Sequence, residues 1–222
     1  MIQDRDRKAK EILSTIKTDI KKINETYRSG PDYYFYKKIL HQRKQYPYIE
    51  LFLSEDYNIE ILYATLVAWD MNSRGAKMLY YDDFRKNIRE CIDELKQLER
   101  ITLLQDQDYE CFLKLVFPTL ENVYDKLNLM KTNGKLVSNS KLLHFLFPDK
   151  LMPMDRTNTL NYFYGNTNES YNKFKEIIKF TFNFMKNNAS NELKKCLDDK
   201  WNTSIPKLID NAIILLNGVS TT

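Results

Sequence analysis

The chain has 222 residues, of which 43% are hydrophobic and 29% are charged, and its 34 basic and 30 acidic side chains give a net charge of +4. This nearly balanced composition is that of an ordinary globular protein, and it permits nucleic acid as a partner without requiring one. Only 5 glycines and 6 prolines are present, which argues against a β protein with many turns and favours helices.

Apolar residues recur at helical spacing through most of the chain. Isoleucines at this spacing predict a first helix over residues 4–28, which Gly30 and Pro31 end, and Pro31 then begins a second helix with the sequence PDYYFYKKILHQRKQ. Residues 59–71 are apolar on nearly every face and are expected to form the central buried helix. Further helices are predicted over 84–98, capped by Asp82 or Asp83, and over 107–127, 138–147, 156–164, 168–187, 190–199 and 205–217.

These elements predict an all-α fold, a compact globule of about eight to ten helices in a single domain. The domain spans 1–222, and the loop KTNGK at 131–135 is expected to join two lobes, 1–130 and 135–222. No segment contains a run of about 18 apolar residues, which a membrane-spanning helix needs. The N-terminus is charged and lacks the apolar region of a signal peptide. The three cysteines include no CxxC pair, so we expect a reducing, cytoplasmic location. Because no segment could span a bilayer, we expect no membrane partner.

The segment SNSKLLHFLFPDKLMPMDR, from Ser138 to Arg156, is the most informative stretch of the sequence. In a purely structural interpretation, Ser138 and Asp155 are N-caps, the leucines and phenylalanines face the core, and Lys141 points to solvent. In a chemical interpretation, the positive end of the helix dipole disfavours the charged form of Lys141, and burial would make it an amine nucleophile. An aspartate on the rigid loop, Asp155, would then be a general base or would stabilise positive charge.

This segment resembles two groups of proteins. One is a group of uncharacterised prokaryotic helical proteins, which supplies no function. The residues that carry this likeness are Ser140-Lys141, Leu143-His144-Phe145, Pro148 and Asp155, with Trp69, Met71, Arg74 and Gly75 upstream.

The order of a hairpin, a helix with a lysine, a proline-containing loop and an aspartate is also distantly similar to the helix-hairpin-helix DNA glycosylases. The likeness covers Thr132 to Tyr162, and it implies an all-helical base-excision architecture in which Lys141 and Asp155 do the chemistry. The chain departs from that family in the hairpin, where Gly134 is kept but Ser138 replaces a second glycine.

Three functions are therefore considered. The first, which we favour, is a nucleic-acid-associated helical protein whose positive surface joins Lys135, Lys141, Arg156 and the basic run 37–44. The second is a base-excision-type enzyme that uses Lys141 and Asp155, and the third is a non-catalytic interaction or structural protein with an exposed apolar patch. No cofactor or metal is predicted, because the chain has only two histidines and no nucleotide-binding motif. The predicted nucleic-acid contacts are Lys135, Ser138, Ser140, Arg156 and Arg74.

Overall fold

A computed structural model describes residues 2–27, 29–73, 77–102, 109–188 and 191–218, and in these ranges the chain is all-α, as predicted. The described part contains thirteen α-helices and two short π-helical segments, and its one β feature is an isolated bridge between Met78 and Met130. The predicted number of helices was slightly low, because some predicted helices are divided into shorter ones. No helix in the described ranges has both the length and the hydrophobicity needed to cross a bilayer.

The helices follow one another with short connections. The π-helical segments are π1 (Val67–Met71), which directly continues α5, and π2 (Arg156–Leu160), which directly precedes α10. The α-helices are α1 (Arg5–Thr18), α2 (Lys22–Thr26), α3 (Pro31–Gln45), α4 (Ile49–Ser54), α5 (Asp56–Leu66), α6 (Tyr81–Glu90), α7 (Ile92–Thr102), α8 (Tyr109–Lys126), α9 (Leu136–Leu146), α10 (Asn161–Tyr164), α11 (Tyr171–Asn188), α12 (Asn191–Lys194) and α13 (Ile205–Leu216).

The ends of several helices show which local patterns were informative. The helix α3 begins at Pro31, as predicted, because proline is favoured in the first turn, where its missing N–H is not needed. The predicted first helix is interrupted at 19–21, so α1 and α2 are separate. The predicted cap at Asp82 or Asp83 was wrong, since α6 starts earlier and Tyr80 is its N-cap residue. Both carboxylates lie instead in the first turn, where the helix dipole favours negative charge.

The hydrophobic core includes helices from both sides of the 131–135 loop. The helix α5 packs against α3 and α9, and α1 packs against α13, so elements distant in sequence enclose the same interior. Each contributes fully buried side chains, such as Ile16 from α1, Leu62 from α5 and Ile213 from α13.

The most buried of these elements is α9, not the 59–71 stretch that the hydrophobicity pattern favoured. Every residue of α9 is buried, including polar side chains at five of its eleven positions. Buried polar groups need hydrogen-bond partners, and α9 finds them on neighbouring loops: Asn139 donates to the carbonyls of Tyr124 and Leu127, and His144 bonds to the carbonyl of Leu151. This helix therefore fixes the loops that surround the candidate site.

Candidate active-site cavity

A cavity of about 190 Å³ lies between π1, the helix α9, the loop before π2 and the helix α13. Lys141 and Asp155, the two residues of the predicted chemical interpretation, both lie on its wall. Two indoles, an ion pair and several polar side chains complete the wall. The other lining residues are Tyr27, Asp32, Ala68, Trp69, Asp70, Pro153, Met154, Asn158, Trp201, Lys207, Asp210, Asn211 and Ile214.

Lys141 does not point to bulk solvent, as the purely structural interpretation expected, because its residue is only 8% exposed. Its Nζ donates a hydrogen bond of 2.7 Å to the carbonyl of Trp69 and lies 5.8 Å from the centre of that indole. Burial lowers the pKa of Lys141, and the nearby carboxylates of Asp155 and Asp210 oppose this only in part. A lysine in this state supplies a larger fraction of neutral, nucleophilic amine than a surface lysine does.

The partner of this amine is created by a break in the helix. In π1 the backbone leaves helical geometry at Trp69, and Asp70 adopts the left-handed region with φ 63° and ψ 18°. A non-glycine residue in this region carries a local energetic cost, although aspartate tolerates it better than most residues. The break leaves the Trp69 carbonyl available to Lys141, while the Trp69 indole N–H donates to the carbonyl of Asp32.

Asp155 is held by the start of π2. Its Oδ1 accepts from the backbone N–H groups of Thr157 and Asn158, at 2.8 and 3.0 Å, which confirms the predicted N-cap. Among the described residues, no hydrogen bond is made to its Oδ2. One carboxylate oxygen therefore fixes the side chain, and the other is available to a ligand in the cavity.

A second charged pair on the wall was missed by the sequence analysis. On α13, Lys207 Nζ lies 2.6 Å from Asp210 Oδ2, and both side chains are at most 7% exposed. The ammonium also sits over the two indoles, 5.1 Å from the centre of Trp69 and 5.8 Å from that of Trp201. Burial raises the pKa of Asp210, and the neighbouring Lys207 opposes that shift. The pair was visible in the sequence as two opposite charges three apart in the otherwise apolar helix IPKLIDNAIILL.

Behind the cavity wall lies a hydrogen-bonded chain that includes the only histidine on α9. Nδ1 of His144 donates to the carbonyl of Leu151 at 2.8 Å, so Nε2 accepts from the hydroxyl of Tyr36, also at 2.8 Å. Burial lowers the pKa of His144 to about 3. The Tyr36 ring stacks on Trp201 with centroids 6.0 Å apart. These hydrogen bonds therefore support the indole of Trp201 from behind and do not reach the cavity itself.

The two predicted serine contacts lie away from the cavity. Ser138 was wrong as an N-cap, because α9 begins two residues earlier and Ser138 bonds to the carbonyl of Lys135 from within the first turn. Ser140 donates to the carbonyl of Val137 and accepts from the N–H of Met154. Both serines are 1% exposed. Ser138 therefore stabilises the start of α9, and Ser140 joins α9 to the loop that follows it.

The predicted basic contacts are distributed over different places. Lys135 bonds to the carbonyl of Asp125, and Arg156, which is exposed, forms an ion pair with Glu169. Arg74 lies outside the described residues.

The basic run 37–44 lines a separate groove of about 600 Å³ that shares no lining residue with the cavity. Lys37, His41, Arg43 and Lys44 face it, together with the carboxylates of Asp149, Asp198 and Asp199.

Comparison with profiles of known protein families, with curated protein sequences and with solved structures found no match. In the described ranges, no group of three or more histidine, cysteine, aspartate or glutamate side chains is arranged to hold a metal ion. The chemistry of the cavity is therefore inferred from its own residues: a buried amine, a fixed carboxylate, a buried ion pair and two indoles.

Proposed function

We propose that the protein is a nucleic-acid-associated enzyme of the base-excision type, in which the cavity receives the unstacked base of one nucleotide. The observation that carries this proposal is that Lys141 and Asp155, which come from different elements, lie on the wall of one cavity with two indoles. The indoles of Trp69 and Trp201 suit this role, because aromatic faces replace the stacking that a base loses when it leaves a strand.

In the proposed reaction, the neutral amine of Lys141 attacks the sugar carbon C1′ that bears the base. The glycosidic C–N bond breaks, its electron pair leaves with the base, and the base takes up a proton from water. Asp155 Oδ2 accepts a proton from the attacking nitrogen and stabilises the positive charge that develops on the sugar. That proton then passes to the ring oxygen as the C1′–O bond breaks, which leaves a protonated imine between Lys141 and the opened sugar.

Borohydride trapping tests this proposal, because it converts such an imine into a stable protein–DNA adduct. We expect a trapped species with duplexes that carry a damaged base or an abasic site, and we expect K141R to abolish it. Arginine keeps a donor for the Trp69 carbonyl but does not form the imine. D155N should trap much more slowly with the fold intact, since asparagine also serves as an N-cap.

K17R is the matched control, because Lys17 is an exposed lysine that bonds to Glu192 away from the cavity. Equal trapping by the native chain and K141R would refute the proposal, and so would the absence of any adduct with these duplexes. In the same samples, binding of the duplex should weaken as salt is raised, because contacts to phosphate release counterions.

A second candidate function is a non-catalytic interaction protein. It is favoured by large exposed apolar side chains around α4, where Tyr48 is 62%, Leu51 is 53% and Tyr57 is 49% exposed. Such a surface would support a stable dimer in solution, whereas the first proposal does not require one. In both cases the proposed location is a reducing cytoplasm, which the odd number of three cysteines favours.

A further inference from the structure

The ion pair on α13 is unusual because it lies on a cavity wall while being almost completely buried. Lys207 is 4% and Asp210 is 5% exposed, and their 2.6 Å contact joins Nζ to Oδ2. Removing two charges from water is costly, and a pair of well-packed apolar residues is often as stable. The pair is therefore better explained by what it offers to the cavity than by a gain in stability.

The pair offers one donor and one acceptor side by side. An ammonium has three N–H groups, and Lys207 uses one of them on Asp210. Among the described residues, Asp210 Oδ1 has no hydrogen bond, and it is not one of the buried atoms that lack a partner. This oxygen therefore has access to the cavity. The neighbouring Asn211 is fixed by its amide N–H groups, which donate to the Trp201 carbonyl and to Asn202.

The size of the cavity limits the ligand. An engineered protein cavity of about 150 Å³ takes up benzene, whereas drug-sized ligands occupy pockets of about 300 Å³ or more. A cavity of about 190 Å³ therefore suits one six-membered ring with small substituents. Trp69 and Trp201 supply aromatic wall for such a ring, and Met154 and Ile214 add apolar wall.

We infer that Lys207 and Asp210 bind the edge of a single-ring, pyrimidine-type base that presents a carbonyl next to an N–H. Lys207 donates to the carbonyl oxygen and Asp210 Oδ1 accepts from the ring N–H. This inference deepens the proposed function and rests on it, since it names the class of base that the cavity would receive. It adds a specificity role for two residues that the resemblance to glycosylases does not assign.

The test uses two free bases that differ by one methyl group. 1-Methyluracil keeps the carbonyl beside an N–H, and 1,3-dimethyluracil replaces that N–H by a methyl group. The chain has only two tryptophans, and both line the cavity, so intrinsic tryptophan fluorescence reports on this site. We expect 1-methyluracil to change the fluorescence saturably and 1,3-dimethyluracil to bind at least about tenfold more weakly, because it leaves a buried acceptor unpaired.

The double variant K207M/D210L replaces the pair by apolar side chains of similar volume, so it should fold, and circular dichroism checks this. It should lose the discrimination between the two bases. The control K17M/E192L removes an exposed pair on a different surface and should keep it. Equal binding of both bases, no binding of either, or discrimination that survives in K207M/D210L would overturn the inference.

The outcome is separable from that of the trapping experiment. Base discrimination without an adduct at Lys141 would retain this inference and reject the excision chemistry. An adduct at Lys141 without base discrimination would do the reverse.

Discussion

The two basic residues of α9, Lys141 and His144, show how position decides chemistry at the scale of one residue. Both are buried, but Lys141 lies on the cavity wall, whereas His144 has both ring nitrogens occupied by Leu151 and Tyr36. A histidine that donates to a carbonyl and accepts from a hydroxyl is fixed as the neutral tautomer. His144 therefore supports the fold, whereas Lys141 is placed where the proposed chemistry would need it.

The buried His144 predicts a loss of stability in acid. Its folded-state pKa is lowered to about 3 from 6.5, so between these values the unfolded chain binds a proton that the native chain does not. Stability must therefore fall as pH falls from about 6.5 towards 3. Between pH 7 and pH 4 this one group should remove about 3 kcal/mol of the free energy of unfolding.

Urea unfolding of the native protein and of H144Q at these two pH values measures this change in the free energy of unfolding. Glutamine stays neutral, so H144Q should lose about 3 kcal/mol less than the native chain over the same interval, whatever its stability at pH 7. His41 is exposed, and H41Q is the matched control for the loss of an imidazole from the surface. A native-like dependence in H144Q would show that other groups cause the acid sensitivity.

At the scale of the element, the start of α9 depends on a residue far from it in sequence. Oε2 of Glu169 accepts from the N–H of Leu136 at 2.9 Å, and its other oxygen pairs with Arg156 at the start of π2. The first N–H groups of a helix lack partners within the helix. Glu169 thus replaces the cap that Ser138 does not provide, and it fixes α9 relative to the loop that carries Asp155.

We expect E169A to destabilise the protein by about 1–2 kcal/mol, the usual cost of losing a helix cap. E169Q should cost less, because the amide oxygen still accepts from Leu136. R156A should cost about 1 kcal/mol or less, since the pair lies partly in solvent, and E121A at an exposed position of α8 should be nearly neutral. Urea midpoints compare the four variants, and equal losses in E169A and R156A would mean that the ion pair, not the cap, is what matters.

Helix ends that depend on neighbouring residues could be predicted from the sequence, whereas features that depend on distant contacts could not. The α3 boundaries, the loop at 131–135 and the cap at Asp155 follow from local chemistry, because proline, glycine and a capping carboxylate act on their own neighbours. The break in the helix at Trp69 and Asp70 has no such local signal. The carbonyl of Trp69 that it frees accepts a hydrogen bond from Lys141, which is distant in sequence. The Lys207–Asp210 pair was overlooked because an i,i+3 pair is normally a surface feature; only packing shows that it is buried.

At the scale of the whole molecule, the cavity joins parts of the chain that the sequence assigned to two lobes. The indole of Trp201 contacts the rings of Tyr33 and Tyr36 on α3, and Trp69 contacts Phe145 on α9. The helix α1 packs on α13 in the same interior. Because these contacts cross the 131–135 loop, the cavity is formed only when both parts are folded together.

This arrangement predicts a single cooperative unfolding transition. Circular dichroism follows all helices, whereas tryptophan fluorescence follows only the cavity, where both tryptophans lie. If the parts share one core, the two signals should have the same urea midpoint. I16A in the fully buried face of α1 should lower both midpoints together, by a stability loss of about 2–5 kcal/mol, while K17A at the exposed neighbour should leave both almost unchanged. A fluorescence transition that precedes the loss of helix would instead mean that the lobes separate first, and the cavity would then be a mobile junction unsuited to holding Lys141 and Asp155 in fixed geometry.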